Sequence, residues 1–275
     1  MMKQVVAGKI LVVLVCAVFL VSGSALASEG HYDALVFQDG GQVQMGSIDV
    51  ECLSGLGEPG CDPDGNTDNV YEAELEETGT SPGLVGSAEE PGFFAVPDTA
   101  GGNLPYGQVL PGTSTHSFDI TLAPNSPVSG ASILFWDGSG PVTWSSVPNS
   151  EYFEVEGNAG TGGTLTGSST LSGIGLDPTS ASGSFDTHPD FLLYGSGGTV
   201  DPTAGFYTLF GITQIQGLSP SDPWGVVFDF GIEDEELHEA AVGNVYGFIP
   251  EPATGILLTS GLLGLALHRR GGKTA

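Results

Sequence analysis

Between Ser28 and Ile249, glycine and proline recur too often for long helices, which leaves short strands as the regular structure open to the chain. Runs rich in aromatic and β-branched residues fill the intervals. They predict strands over Ala34–Phe37, Gln42–Val50, Val70–Leu75, Ser117–Leu122 and Ala131–Trp136. Further strands are predicted over Val142–Val147, Glu151–Glu156, Asp190–Leu193, Gly205–Ile215 and Trp224–Ile232. Phe118, Ile120 and Leu122 alternate with polar residues, as in a half-buried antiparallel strand. Trp136-Asp137-Gly138-Ser139-Gly140-Pro141 reads as a turn joining two strands. The expected fold is all-β, an antiparallel β-sandwich or jelly-roll-like domain. One core is predicted to contain Phe118, Ile120, Leu122, Phe135, Phe153, Val155, Leu209, Val227 and Phe230.

Three segments break this pattern. Ser54–Asn69 is a Gly/Pro/Asp loop, and Gly157–Ser184 is Gly/Ser/Thr-rich with scattered Leu and Ile. The second is either a surface excursion or a set of loosely packed strands. Glu233–Val242 predicts a short helix, because its acidic residues crowd the first turn, where the helix dipole favours them.

All five basic residues, Lys3, Lys9, Arg269, Arg270 and Lys273, lie near the two ends. Of the 33 acidic residues, all but Glu251 lie between Ser28 and Pro250. So acidic a body excludes nucleic acid, whose binding runs on cationic side chains releasing counterions from phosphates. It also disfavours anionic lipid headgroups. Divalent cations or cationic polymers are natural counterparts; solubility in a salty medium explains the charge equally well.

The ends read as targeting segments. Lys3 and Lys9 precede an apolar run, Ile10–Val21, and Ala25-Leu26-Ala27 is a small-x-small site that predicts cleavage before Ser28. Signal peptidase and the secretion machinery are the expected partners. Cys52 and Cys61 remain after removal of Cys16, an even pair suited to a disulfide in an oxidising compartment. At the other end, Pro250-Glu251-Pro252 holds the backbone extended. The uncharged run Ala253–Leu267 follows, then His268-Arg269-Arg270. As a helix, fifteen residues reach roughly 22 Å against a hydrocarbon core of ~30 Å, a short span. Arg269 and Arg270 favour keeping that end cytoplasmic, as a membrane stop.

Motif, short helix and basic end in that order resemble the PEP-CTERM sorting signal. The resemblance implies recognition by exosortase, a membrane-embedded cysteine transpeptidase of bacteria that make exopolysaccharide. It therefore implies a cell-surface or matrix destination, with exopolysaccharide as a possible partner. The expected division is a signal peptide over 1–27, an exported acidic β-rich domain over 28–248 and a sorting signal with a transmembrane helix over 249–275. Within the body, His31-x-Asp33, His188-x-Asp190 and the run Ala204–Leu209 are similar to features of exported β-rich surface domains of the choice-of-anchor kind.

Two patterns suggest metal chemistry. Asp62, Asp64, Asn66 and Asp68 place oxygen ligands at alternate positions around Gly65, as calcium requires. The loop departs from the EF-hand pattern, and a plain tight turn uses the same residues. His31/Asp33 and His188/Asp190 each put imidazole and carboxylate on one face of a strand, and adjacent strands would join them into a metal site. Nothing in the sequence places those strands side by side, so the simpler expectation is that each Asp orients its own His or that both pairs are exposed.

No nucleophile elbow, zinc-protease helix or phosphate-binding loop is present, and the body lacks a Lys or Arg to stabilise an oxyanion. The expectation is a structural or adhesive protein, not an enzyme. The competing class is a secreted carbohydrate-binding module or carbohydrate-active enzyme. Tyr106, Trp136, Trp144, Trp224 and Tyr246 are candidates for a sugar-stacking platform, although aromatics on strands more often fill a core.

Overall fold

The computed structural model describes residues 32–49, 69–97, 103–104 and 107–250. Its strands begin with β1 (Tyr32–Asp39), β2 (Gln42–Asp49), β3 (Val70–Glu74), β4 (Glu76–Thr78), β5 (Val85–Ala88) and β6 (Phe93–Ala95). Then come β7 (Asn103–Leu104), β8 (Gly107–Gln108), β9 (His116–Thr121), β10 (Ile133–Trp136), β11 (Ser145–Ser146) and β12 (Tyr152–Glu156). The last are β13 (Gly162–Thr166), β14 (Leu171–Leu176), β15 (Phe185–Thr187), β16 (Asp190–Tyr194), β17 (Gly205–Ile215) and β18 (Trp224–Phe230). One α-helix, α1 (Glu235–Val245), follows.

Three sheets result. The first runs β15-β6-β1-β8-β7, with β2 also paired to β1. The second runs β11-β10-β17-β18-β3, and β9 joins it by pairing with both β17 and β14. The third runs β13-β12-β16-β5-β4. The expected all-β class holds, but the sheets are not wholly antiparallel: β1 pairs with β6, and β18 with β3, in parallel. No helix among the described residues is long and apolar enough to cross a membrane.

The central strand is β17, whose apolar residues fill both of its faces because both are covered. Tyr207 and Leu209, with Val226 and Phe228 of β18, face the main core. Phe206 and Phe210, with Val227, face a second cluster closed by Ala241, Val242 and Val245 of α1. The single expected core is therefore two clusters, and Val227 belongs to the second. Leu122 is 44 % exposed, because β9 stops at Thr121 and the next residue turns outward. The other seven expected core residues are in the main cluster.

At Trp224 the packing requires a glycine opposite. A Cβ on Gly211, its partner across the ladder, would run into the indole. Helix α1 begins as its acidic first turn suggests: the Asp234 side chain caps it by accepting from the Leu237 amide at 3.2 Å. The predicted hairpin forms in reduced form, since only Ser145–Ser146 of the expected second strand pair with β10. Gly157–Ser184 contains the strands β13 and β14, pinned by Leu165, Ile174 and Leu176.

Candidate functional site

Ala25, Ala27, Ser28, His31, Cys52, Cys61, Asp62, Asp64, Asn66 and Asp68 lie outside the described residues, as do Glu251, Pro252, Arg269 and Arg270. Pro250 is the last residue described. The three tryptophans named for a stacking platform are core residues, 2 %, 5 % and 0 % exposed at Trp136, Trp144 and Trp224. They present no joint surface to a sugar; Tyr106 lies outside the described residues, and Tyr246 is exposed.

The His-x-Asp pairs fare differently. Asp33 stands near the start of β1 and His188 just past β15, and β6 lies between these two strands. Ala34 is level with Phe93 on one side, and Thr187 with Phe93 on the other. One step along each ladder, Asp33, Gly92 and His188 fall in a row across three chain segments. The middle position has no side chain, so the outer two converge above it. A Cβ on Gly92 would stand 2.5 Å from both Asp33 Oδ1 and His188 Cε1. Asp186, two residues before His188 and on the same face, completes a trio whose ligand atoms lie within 4.8 Å of one another. Asp33 and His188 thus meet across β6, while the pairing of Asp33 with His31 lies outside the described residues. Asp190 is not part of the trio, and Asp186 takes its place.

The trio combines a sealed group with two open ones. Asp33 is 1 % exposed, and neither of its carboxylate oxygens has a hydrogen-bond partner. Burial pushes its carboxyl up to about 6; the nearby His188 opposes the rise, while Asp186 and Glu90 add to it. His188 and Asp186 are 38 % and 54 % exposed at their side chains. His188 Nε2 lies 3.2 Å from Asp186 Oδ1, and its Nδ1 lies 3.2 Å from the Glu89 carbonyl.

A second concentration of charge lies between β3, β18 and α1. Glu74, Asp229, Glu233, Asp234, Glu235 and His238 line a cleft of about 240 Å³. His238, itself buried, donates from Nε2 to the Val227 carbonyl at 3.0 Å. Burial pushes the Asp229 carboxyl up to about 6, with the nearby His238 opposing the rise and Glu74 adding to it.

His116, 5 % exposed, packs its ring edge-on to Phe185 at 4.4 Å, and neither ring nitrogen has a partner. Burial lowers its pKa from 6.5 to about 4. The unfolded chain therefore binds this proton between those values and the folded chain does not. The associated stability is full above pH 6.5 and is lost as pH falls to about 4, a swing of about 3 kcal/mol at roughly 1.4 kcal/mol per tenfold change in proton affinity. Asp33 and Asp229, raised from 3.8 to about 6, act with the opposite sign and together outweigh that loss, so His116 shows only against a variant that lacks it. Urea unfolding of the parent chain and of His116→Leu at pH 7.5 and 4.5 separates them. The parent should lose about 2–3 kcal/mol relative to the variant, and parallel losses would clear His116 of the effect.

The packed body runs to the edge of the tail. Ile249 is buried in the second cluster, the Phe248 ring packs on Phe210 at 6.4 Å, and Asn125 Nδ2 donates to the Phe248 carbonyl at 3.2 Å. Pro250 beyond them is exposed. Fold and tail thus define a class: a β-rich domain followed at once by an addressing segment. Residues 248–270 match the family model described as the PEP-CTERM protein-sorting motif, so the chain carries that sorting motif at this end. That motif marks a C-terminal signal for exosortase-processed export. No curated protein matches the chain.

Proposed function

We propose that the chain is an exported structural or adhesive protein of the cell surface or extracellular matrix, held at the membrane by its tail until exosortase cuts near Pro250–Pro252. Signal peptidase leaves Ser28 as the mature N-terminus, and the domain acts by presence and attachment rather than by turnover. The observation that carries this reading is the sorting motif at residues 248–270, set directly against a β-rich body whose packing reaches Ile249. The motif's first residues, Phe248 and Ile249, are thus part of the packed domain. Glycines Gly255, Gly261 and Gly264 in a short apolar run make a poor permanent span, which suits a transient anchor.

Mass spectrometry of the surface fraction tests this. Mature protein should begin at Ser28 and lack the peptides from Leu257 to Lys273, and Glu251→Ala should abolish the second cut. Intact tail peptides in the mature protein, or processing indifferent to Glu251, would overturn the assignment.

A further inference from the structure

We propose that Asp33, Asp186 and His188 bind one divalent transition-metal ion, with zinc the best chemical fit. The arrangement of donors argues for it. Other well-placed carboxylates in the domain are met by neutral donors, since no Lys or Arg lies between Ser28 and Pro250. Glu151 receives the Thr203 amide, the Thr203 hydroxyl and the Tyr207 hydroxyl at 2.6–3.0 Å. Asp201 receives the Gly83 and Leu84 amides and the Ser81 hydroxyl at 2.5–2.8 Å. Asp33 is nearly inaccessible and receives none of these. An anion buried without donors is costly unless a cation sits against it.

His188 supplies the second argument. Its Nδ1–H donates to the Glu89 carbonyl, the arrangement that fixes the tautomer and ring plane of many metal-binding histidines. Nε2 then presents a lone pair towards the Asp186 carboxylate 3.2 Å away. Two acceptors face each other across a gap that a proton or a cation must fill. Tetrahedral zinc ligands at about 2.0–2.2 Å stand roughly 3.3–3.6 Å apart; Asp186 and His188, at 3.2 Å, are close to that spacing, and Asp33 lies within 4.8 Å of both. Gly92 keeps the floor of the site clear, since its absent side chain would occupy the space between Asp33 and His188.

The donor set selects the ion. Calcium and magnesium prefer oxygen alone, whereas one imidazole with two carboxylates suits a zinc-like ion and leaves a fourth position for water. The two exposed ligands give the ion a path from solvent. Once bound, it ties β1 to β15 across β6, joining segments about 150 residues apart in sequence and clasping one end of the first sheet.

The full chain, purified in detergent, is titrated with Co²⁺ as a spectroscopic probe for zinc in millimolar Ca²⁺ and Mg²⁺, which saturate the scattered surface carboxylates. One equivalent should give a visible absorption band, displaced by one equivalent of Zn²⁺, and Zn²⁺ should raise the Tm. His188→Ala and Asp186→Ala, at exposed positions that the fold tolerates, should abolish the band and weaken Zn²⁺ binding at least ~100-fold. Gly92→Ala should do the same by filling the site. Zn²⁺ uptake that disappears in Ca²⁺ and Mg²⁺, or that persists unchanged in His188→Ala, would overturn the proposal.

Discussion

Phe118→Ala should lower the unfolding free energy by about 3–5 kcal/mol, a large share of the roughly 5–15 kcal/mol that holds an ordinary domain folded. Phe118 is fully buried in β9, where its ring stacks on Phe93 at 5.2 Å and meets Trp224 at 5.9 Å and Phe191 at 6.4 Å. These rings come from all three sheets: Phe93 from β6, Phe118 and Trp224 from β9 and β18, and Phe191 from β16. Truncation at this point removes the transfer energy of the ring and also leaves a cavity that rigid strands cannot collapse to fill. Leu122→Ala, four residues away but 44 % exposed, should change stability by less than ~0.5 kcal/mol. Urea unfolding followed by tryptophan fluorescence measures both. Equal midpoints for Phe118→Ala and the parent would mean that the three sheets do not meet at this ring.

That contrast shows what local pattern can and cannot convey. Alternation placed β9 correctly because a strand covered on one face must alternate, yet alternation says nothing about where pairing stops, and Leu122 lay one residue too far. Helix α1 was legible because Asp234 and the acidic first turn form a local signal. The parallel pairs β1–β6 and β18–β3 were not, since each joins segments remote in sequence and leaves no turn between them. Strands β5 and β6 escaped notice for a related reason. Val85–Ala88 and Phe93–Ala95 are short, flanked by Pro and Gly, and gain their order only from neighbours.

The candidate metal site divides in the same way. Asp33 and His188 were visible as possible ligands, whereas their meeting depended on β6, whose Pro91-Gly92-Phe93 carries no metal signal of its own. Asp186 could have been found, because Asp186-Thr187-His188 has the same two-residue spacing as His188-Pro189-Asp190. Choosing between them required knowing that β15 ends at Thr187 and pairs with β6.

The absence of Lys and Arg from the body also shapes its interior, and Glu151 is where this should cost most when disturbed. Glu151 is 2 % exposed and precedes β12, with no cation to pair with. It is held by neutral donors on the segment leading into β17: the Thr203 amide at 3.0 Å, the Thr203 hydroxyl at 2.6 Å and the Tyr207 hydroxyl at 2.6 Å. The phenol responds in kind, since burial and then the adjacent carboxylate push its pKa well above the ordinary value. Glu151→Ala removes the charged acceptor and leaves the half-buried Thr203 amide without its partner. Hydrogen bonds to charged groups contribute about 1.5–3 kcal/mol each, and three are lost together, so the expected loss is about 3–4 kcal/mol. Tyr207→Phe should cost less, about 1–2 kcal/mol, because two donors to the carboxylate remain. Unfolding curves at pH 7.5 for both variants decide the matter. If Tyr207→Phe proves the more damaging, the tyrosine hydroxyl is held chiefly by the Thr203 carbonyl, 2.6 Å away, and the carboxylate is not the anchor of this junction.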